Sequence, residues 1–275
     1  MTVHLVTFSD DSMERSSWLC AISSKKHGVE THARFNSANL SQFGEVKEHA
    51  GLFAKPRGCG YWAWKPLIIK REIEWLPEGS TLIYSDAGVE FVNNVSHIID
   101  RMDQDIFLFG NNWEHAHWCK RDIVEAVWPD KEWNPAIVEA GEGWRHYTWR
   151  RFGKQCQASV IFFRVSDYSK QFVAEWLKWC LHRQRYSTIC TDEWRYLIDD
   201  SPSILPNHPE FRENRHDQAI LTTLAYREGI RLHYWPASYN DGAFTYETLP
   251  EYAGDDYPIM FNHHRKRNHE WQTAA

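Results

Sequence analysis

Short apolar runs alternate with segments of helical periodicity along this chain. Val3–Phe8 is an apolar run that ends at polar residues, which predicts a buried parallel strand. Residues 81–84, 105–110 and 158–163 repeat this pattern and predict three further strands. Strands separated by helical segments are typical of an α/β fold with a mainly parallel sheet.

Helical spacing of apolar residues predicts the helices between these strands. Residues 10–24 predict a first helix with Trp18, Leu19 and Ile22 facing the core. A second helix is predicted to begin at Pro66, because proline is favoured at the first helical position, and to end at the turn Leu-Pro-Glu-Gly.

Two more helices are predicted in the second half of the chain. Ser166 or Asp167 can cap a helix whose apolar residues recur with helical spacing from 172 to 181. Residues 216–228 predict another helix, with Gly229 just after its last turn.

The remaining segments give no sign of a second unit. Residues 111–156 are rich in Trp, His and Glu with little periodicity, which predicts loops and short helices that cover a site. The sequence has no internal repeat and no low-complexity linker. We therefore expect one α/β domain over residues 1–275, with helices flanking the sheet.

Composition narrows the class of ligand. The net charge of −6 gives the protein no overall attraction to nucleic acid, so we expect no nucleic-acid partner. The local basic segment 264–267 suits phosphate better than a duplex. Fifteen tryptophans favour stacking on sugars or nucleobases, although extra core packing explains any single one equally well.

Targeting signals are not evident in the sequence. The apolar run at the N-terminus is too short for a signal peptide, and no apolar stretch approaches the roughly 18 residues of a membrane span. The six cysteines are scattered and form no CxxC motif, which indicates reduced thiols. We expect a cytoplasmic protein without a transmembrane segment, with peripheral membrane attachment as the alternative.

The first candidate for chemistry is Asp86, at the end of a predicted strand. Ligands of open α/β sheets bind outside the carboxyl ends of the strands. A carboxylate there can hold Mg²⁺ or Mn²⁺ together with substrate phosphates, and Gly88 would let the backbone approach a ligand. The alternative is a turn aspartate that bonds its own backbone.

A second candidate is the polar segment Arg215-His216-Asp217-Gln218 before an apolar helix. Asp217 can act as a general base, or can orient a sugar hydroxyl beside Gln218. The alternative is that Asp217 only complements the helix dipole.

Basic residues supply two further candidates. Lys65, beside Trp64, is unfavourable at the start of a helix, which indicates an anionic ligand nearby, although the tryptophan can simply belong to the core. Near the C-terminus, a neutral histidine can complete a metal shell and a neighbouring basic side chain can clamp phosphate, or the segment is a disordered basic tail. This last segment runs from Asn262 to Arg267 and includes His263, His264, Arg265 and Lys266.

A zinc site is a weaker alternative. His115, His117 and Cys119 would lie on one face of a strand and form an incomplete ligand set for a zinc-dependent hydrolase. The pair Gly58-x-Gly60 lacks the third glycine and the preceding strand of a dinucleotide-binding fingerprint.

Taken in order, these motifs resemble those of the GT-A glycosyltransferases. The pattern is similar to the retaining enzymes related to glycogenin and the lipopolysaccharide galactosyltransferases. It also resembles a less characterised microbial and viral set of sugar transferases. That set shares Gly-Tyr-Trp-x-Trp-Lys-Pro, Tyr-Ser/Thr-Asp-Ala-Gly and Arg-His-Asp-Gln, here within residues 58–267.

The resemblance implies an enzyme that moves a sugar from a nucleoside-diphosphate sugar, with UDP-sugar the first choice, to a glycan or glycolipid acceptor in surface polysaccharide synthesis. It implies a Mn²⁺ or Mg²⁺ site at Asp86 with His263 or His264. The implied catalytic residues are Asp217 and Gln218. The implied acceptor and sugar residues are Trp64, Gln157, Ser159, Arg215 and His216. The implied donor residues are Thr7, Phe8, Ser9, Lys65, Ser85, Asp86, Arg265 and Lys266.

One departure from the family pattern leaves alternatives open. The second carboxylate of the metal-binding Asp-x-Asp is Gly88 here. The enzyme either binds metal through one carboxylate, the diphosphate and a histidine, or needs no metal. Asp217 would be the base in an inverting reaction and would position the donor sugar in a retaining one. A non-catalytic glycan-binding module remains the other reading.

Overall fold

The computed structural model contains a seven-stranded sheet at its centre. It describes residues 2–129, 152–187, 192–239 and 254–271, together with residues 242, 244, 245 and 252. The described strands are β1 Val3–Phe8, β2 Thr31–Phe35, β3 Thr81–Asp86, β4 Val89–Phe91, β5 Ile106–Glu114, β6 Lys154–Cys156, β7 Val160–Arg164, β8 Arg183–Ser187, β9 Asp192–Tyr196, β10 Leu232–Tyr234, β11 Ala237–Tyr239, β12 Phe244–Thr245 and β13 Phe261–His263. The spatial order of strands across the central sheet is β10-β5-β7-β3-β1-β2, with β6 paired to β5.

Strand directions in the central sheet are mainly parallel, as the sequence predicts. β1 pairs in parallel with both β2 and β3, and β10 pairs in parallel with β5. β7 lies antiparallel between β3 and β5, and β6 is antiparallel to β5. The other five strands therefore share one direction, and the carboxyl ends of β1 and β3 meet at one edge.

Helices cover the sheet and connect its strands. The described helices are α1 Glu14–Lys26, α2 Ser37–Leu40, α3 Gly44–Glu48, α4 Ala50–Phe53, α5 Gly58–Tyr61, α6 Trp64–Trp75, α7 Ser96–Ile99, α8 Arg121–Val127, α9 Asp167–Cys180 and α10 His216–Arg227. α6 and α9 pack together on one face, where α10 contacts α9. α1 lies against β1, β2 and β4.

Alternation along β3 divides the core into two clusters. Leu82 and Tyr84 face the cluster that contains α6, α9 and α10, whereas Ile83 faces the other. Successive side chains of a strand point to opposite faces, so a strand that is apolar throughout is buried on both. The second cluster also packs against a small sheet with the order β12-β11-β13-β4.

The first helix differs from the prediction in its inward face. Trp18 and Ile22 are each 49% exposed, and Leu19 is only partly buried. The buried face consists instead of small residues such as Ser17 and Cys20. Small side chains let the helix lie close to the strands. The hydroxyl of Ser17 donates a hydrogen bond to the backbone carbonyl of Glu14 in the same helix. The prediction that the large apolar residues of this helix face the core was therefore wrong.

The other predicted helices lie close to their expected positions. Ser166 caps α9 and accepts the N–H of Ser169, and Gly229 follows α10 with a φ of +67°. Pro66 is the third residue of α6 rather than the first. Residues 111–128 and 152–156 are loops, short helices and strand ends, and the rest of the predicted 111–156 cover lies outside the described residues.

Two further observations bear on the predicted setting of the protein. Within the described ranges, no helix is long and apolar enough to cross a membrane. Cys20, Cys59, Cys119, Cys156 and Cys180 are free thiols, and Cys190 lies outside the described residues. The extent of a single domain over residues 1–275 stays a prediction.

Candidate functional site

A cleft of about 770 Å³ opens at the carboxyl ends of β1 and β3. Phe8 and Asp86, the last residues of these two strands, both contribute to its wall. This is the edge at which open α/β sheets bind ligands. Its wall also includes Ser9, Asp10, Met13, Arg57, Trp62, Trp64, Lys65, Gly88, Trp113, Gln157, Ser159, Arg215, His216, Asp217, Gln218, His263, Arg265 and Arg267.

One wall is formed by an unusual left-handed turn. Gly58, Cys59, Gly60, Tyr61 and Trp62 all have positive φ, between 50° and 95°. Left-handed backbone is unfavourable for residues with a Cβ, so the two glycines lower the cost of this segment. Strained backbone of this kind is retained where surrounding structure fixes it, often at functional sites.

The left-handed turn packs directly on the start of α10. Tyr61 stacks on the imidazole of His216 with ring centroids 4.9 Å apart, and Trp62 lies 5.6 Å from the same ring. His216 itself has a φ of +52° and a ring nitrogen 2.8 Å from the carbonyl of Ile198. Burial lowers the pKa of His216, which favours the neutral ring. Two motifs far apart in the sequence therefore form one wall.

Lys65 connects the two candidate carboxylates of the cleft. Its ammonium lies 3.1 Å from Oδ2 of Asp217 and 3.6 Å from Oδ1 of Asp86. It also donates to the carbonyl of Ala158 at 2.9 Å. Tyr84 donates its hydroxyl to Asp86 from below. The ammonium therefore makes one hydrogen bond to a carbonyl and two ion pairs to carboxylates, and the pair with Asp86 is longer than a hydrogen bond.

Burial sets the protonation states of this cluster. Desolvation raises the pKa of Asp217 to about 6, against the opposing pull of Lys65. Desolvation lowers the pKa of Lys65, but Asp217 and Asp86 outweigh it and the net pKa is raised. Lys65 is thus cationic at neutral pH, and Asp217 is a carboxylate that titrates close to the physiological range.

The turn after Asp86 is shaped by the C-terminal segment. β4 pairs antiparallel with β13, so Val89 lies opposite His263. The N–H of Arg265 donates to the carbonyl of Gly88 at 3.1 Å. A Cβ on Gly88 would lie 2.9 Å from the Cα of Arg265. The absence of a second carboxylate at this position therefore has a steric reason, because another backbone occupies its space.

Of the two adjacent C-terminal histidines, His263 and His264, it is His263 that faces the cleft. It is buried, and its Nδ1 has no hydrogen-bond partner among the described residues. Desolvation, reinforced by Arg265, lowers its pKa to about 3, so its ring is neutral. Arg265 donates to its Nε2 at 3.4 Å. His264 does not line the cleft and accepts the N–H of Lys266.

The electrostatic balance of the cleft differs from that of the whole chain. Five basic side chains and three carboxylates line it, whereas the chain has a net charge of −6. A local excess of positive charge in a concave site attracts anions. The basic side chains are Arg57, Lys65, Arg215, Arg265 and Arg267.

An aromatic platform stands at one side of the opening. Trp113 and Trp118 stack with ring centroids 4.8 Å apart. The guanidinium of Arg215 lies 4.7 Å from the first ring and 4.4 Å from the second. Flat aromatic faces of this kind suit sugar rings and other planar ligands.

Most of the residues predicted for the site lie together in this cleft. Those in its wall are Phe8, Ser9, Trp64, Lys65, Asp86, Gln157, Ser159, Arg215, His216, Asp217, Gln218, His263 and Arg265. Thr7, Ser85, Lys266 and His264 do not line it. Thr7 and Ser85 alternate with Phe8 and Asp86 along their strands and so point to the opposite face, where Ser85 contacts the thiol of Cys20.

Sequence reasoning missed several residues of the wall. Arg57 precedes the glycine turn and was not predicted, whereas Trp62 lies in the candidate segment of Trp64 and Lys65, and Arg267 lies in the basic segment 264–267 predicted to suit phosphate. Asp10 lies in the polar segment after β1, where it accepts from the N–H of Ser12 at 2.9 Å. Because Asp10 follows a predicted buried strand, its place in the sequence could have indicated that it lines the cleft. Trp113 lies in the tryptophan-rich segment 111–156 that was predicted to cover a site, but nothing in the sequence singled it out.

The predicted zinc set does not form. His115 and His117 belong to a short 3₁₀ turn rather than a strand, so they do not share a face with Cys119. His115 and Cys119 are buried and both contact the hydroxyl of Thr223, at 3.1 and 3.8 Å. His117 points elsewhere, to Glu210 at 2.8 Å. Strand periodicity was the wrong assumption here.

Comparisons with known proteins find likenesses among solved structures. No protein-family model matches the chain, and no curated protein matches it. Among solved structures, mouse xyloside xylosyltransferase 1 in its apo form is similar at 10% identity and a TM-score of 0.46, covering 96% of this chain and 98% of that one.

Two further solved structures are similar over the same share of this chain. The galactosyltransferase LgtC, in complex with donor and acceptor sugar analogues, matches at 13% identity and a TM-score of 0.45, over 96% of this chain and 87% of that one. The bifunctional glycosyltransferase WbbM in its apo form matches at 11% identity and a TM-score of 0.45, over 96% of this chain and 45% of that one.

Proposed function

We propose that this protein is a glycosyltransferase that moves a sugar from a nucleoside-diphosphate sugar to a glycan or glycolipid acceptor. The observation that carries the proposal is the cluster of Lys65, Asp86 and Asp217 on the floor of a cationic cleft. A transferase of this kind needs an anion-binding region for the diphosphate and a carboxylate beside the sugar. The cleft supplies both within one concave site.

Arg265 and Arg267 are proposed to bind the diphosphate. Both line the cleft beside the Asp86–Gly88 turn. Charge-assisted bonds from guanidinium to phosphate are strong and directional. Lys65 is proposed to position the two carboxylates rather than contact phosphate, because its ammonium is buried, bonds the carbonyl of Ala158 and pairs with Asp217 and Asp86.

Asp217 is proposed to serve the reacting sugar. In an inverting course its carboxylate would accept the proton of the acceptor hydroxyl, and in a retaining course it would hold a hydroxyl of the donor. Both roles use the ionised form, which Lys65 favours. Gln218, whose side-chain amide donates to Gln155 at 2.7 Å, would help to orient the sugar beside Asp217. Trp113 and Arg215 are proposed to form the wall of the cleft where the acceptor binds.

A divalent cation, Mn²⁺ or Mg²⁺, belongs to the proposal. Asp86 and the neutral His263 would hold it, His263 through its unpartnered Nδ1, which requires the ring proton to lie on Nε2 and the contact from Arg265 to be given up. Only two protein ligands are available there among the described residues, so diphosphate and water would complete the shell. When bound, the ion would neutralise charge on the leaving diphosphate. UDP-sugar as donor, surface polysaccharide as product and a cytoplasmic setting remain parts of the proposal.

The first experiment is a thermal-shift panel with UDP, GDP, CMP, dTDP and their sugars, each with Mn²⁺ or with EDTA. A shift selective for one nucleoside diphosphate would support the proposal and identify the donor. Binding of oligosaccharide without any nucleotide shift would favour the glycan-binding module instead. Release of the nucleotide from the selected donor, followed with a range of glycan acceptors, then tests transfer.

Matched variants make the binding test specific. Arg267→Met removes a cation from the cleft and should weaken diphosphate binding by about tenfold or more. Arg101→Met is the control, since Arg101 pairs with the exposed Asp256 away from the cleft. Equal affinity of the two variants for the nucleotide would remove Arg267 from the proposal.

A further inference from the structure

Three side chains outside the cleft wall carry the donors of a transition-metal site. His117, His208 and Glu210 each place one ligand atom within 4.8 Å of the others. Nε2 of His117 lies 2.8 Å from Oε2 of Glu210, and the two imidazole centroids are 5.4 Å apart. Two imidazoles and one carboxylate are the protein ligands of an open zinc site, in which water takes the fourth position.

The geometry needs little adjustment to enclose an ion. Ligand atoms of a tetrahedral zinc site are about 3.4 Å apart, given Zn–N and Zn–O bonds of about 2.1 Å. The carboxylate side chain of Glu210 is 71% exposed and so is able to rotate inward without moving the backbone. Nδ1 of His208 accepts the N–H of Glu210 at 3.2 Å. A neutral imidazole has one unprotonated nitrogen, here Nδ1, so zinc would replace this hydrogen bond from the N–H of Glu210.

The same three residues join two parts of the chain that already touch. Between β9 and α10 every residue from 197 to 215 is described, and none lies in a helix or strand. We call this segment the 197–215 loop. Connections of this length without secondary structure are uncommon in compact domains and are usually functional. Its N–H groups at Arg212 and Arg215 donate to the carbonyls of His117 and Trp118, at 2.8 and 3.0 Å.

The loop leads directly into the cleft. Arg215, its last residue, lies over the rings of Trp113 and Trp118, and α10 with Asp217 follows. A cross-link between His117 on the turn and His208 on the loop would restrict the motion of this wall. A metal that binds the folded state alone also stabilises it in proportion to its affinity.

We propose that His117, His208 and Glu210 form a zinc site that fastens the 197–215 loop to the turn after β5 and so holds Arg215 at the cleft wall. This site is distinct from the ion proposed at Asp86 and His263. It requires nothing of the transfer reaction, so it stands or fails independently of the proposed function.

Zinc retention tests the proposal directly. The full chain is stripped with a chelator, dialysed against Zn²⁺ and analysed for metal by atomic emission. We expect stoichiometric zinc in the wild type, and an affinity at least about tenfold weaker in His208→Gln and Glu210→Gln. His269→Gln, a change at an exposed histidine, is the matched control and should retain zinc. Asp86→Asn should also retain it.

The remaining outcomes each decide the matter. Failure of the wild type to retain zinc, or equal retention by all variants, overturns the site. Loss of zinc from Asp86→Asn assigns the ion to the cleft instead and also overturns it. Hydrogen exchange of residues 200–214 should slow when zinc is added to the wild type but not to His208→Gln. Unchanged exchange in the zinc-loaded wild type overturns the fastening of the loop.

Discussion

The ammonium of Lys65 lies 3.1 Å from the carboxylate of Asp217 at the floor of the cleft. Each belongs to a different sequence motif and a different helix, α6 and α10. Both side chains are buried. An unpaired charge at such a position would be costly, so the two motifs depend on each other for stability as well as for chemistry.

Replacing Lys65 by methionine should separate these roles. Lys65→Met leaves Asp217 and Asp86 without their cation, and we expect a loss of about 3–5 kcal/mol in the free energy of unfolding, measured in urea. Lys65→Met with Asp217→Asn should recover part of that stability without recovering transfer. Lys70→Met, which breaks a more exposed pair with Glu74, should cost no more than about 0.5 kcal/mol. Equal losses in the two single variants would mean that the buried pair is not the cause.

The pH dependence of transfer should report Asp217. Burial raises its pKa to about 6, so the working carboxylate is lost as the pH falls through that value. We expect kcat to rise with a midpoint near pH 6 in the wild type. Asp217→Asn should lower kcat by about 100-fold or more and abolish this limb of the profile. Glu74→Gln, at an exposed carboxylate, should leave the profile unchanged. The same acidic limb in Asp217→Asn would assign the titration to another group.

Gly88 should be intolerant of a side chain for reasons of space. In Gly88→Ala the new Cβ would meet the backbone of Arg265 at 2.9 Å and displace the segment that carries His263 and Arg265. We expect a loss of about 1–3 kcal/mol in stability together with weaker nucleotide binding. Gly44→Ala is a matched control, because no atom lies within 4 Å of the Cβ it would add. Unaltered nucleotide affinity in Gly88→Ala would contradict a role for this segment in binding.

The left-handed turn offers a second pair of matched glycines. Gly58 and Gly229 have φ of +57° and +67°, so alanine is strained by its backbone at both. Only at Gly58 would the Cβ collide with a side chain, the ring of Trp62 at 2.4 Å. We expect Gly58→Ala to be less stable than Gly229→Ala by about 1–3 kcal/mol in thermal or urea unfolding. Identical stabilities would show that Trp62 is free to leave the position it occupies against His216.

Local pattern was sufficient for the elements that the chain forms by itself. The apolar run Val3–Phe8, the capping serine of α9 and the glycine after α10 are each short-range signals, and each element lies where it was expected. The same reasoning was wrong at α1, where small residues pack inward and Trp18 remains half exposed. Periodicity reports which residues are apolar, whereas burial depends on how closely the neighbouring strands approach.

The chain alone determined the α/β order of elements and the motifs that contain Lys65, Asp86 and Asp217. Only the tertiary structure decided that Lys65 lies between the two carboxylates and that His263 rather than His264 faces the cleft. It also decided that the backbone of Arg265 occupies the space that a side chain at position 88 would need. The physical reason is that each of these relationships joins segments far apart in the chain. Such contacts are fixed by packing and by the pairing of β4 with β13, and no local signal records them.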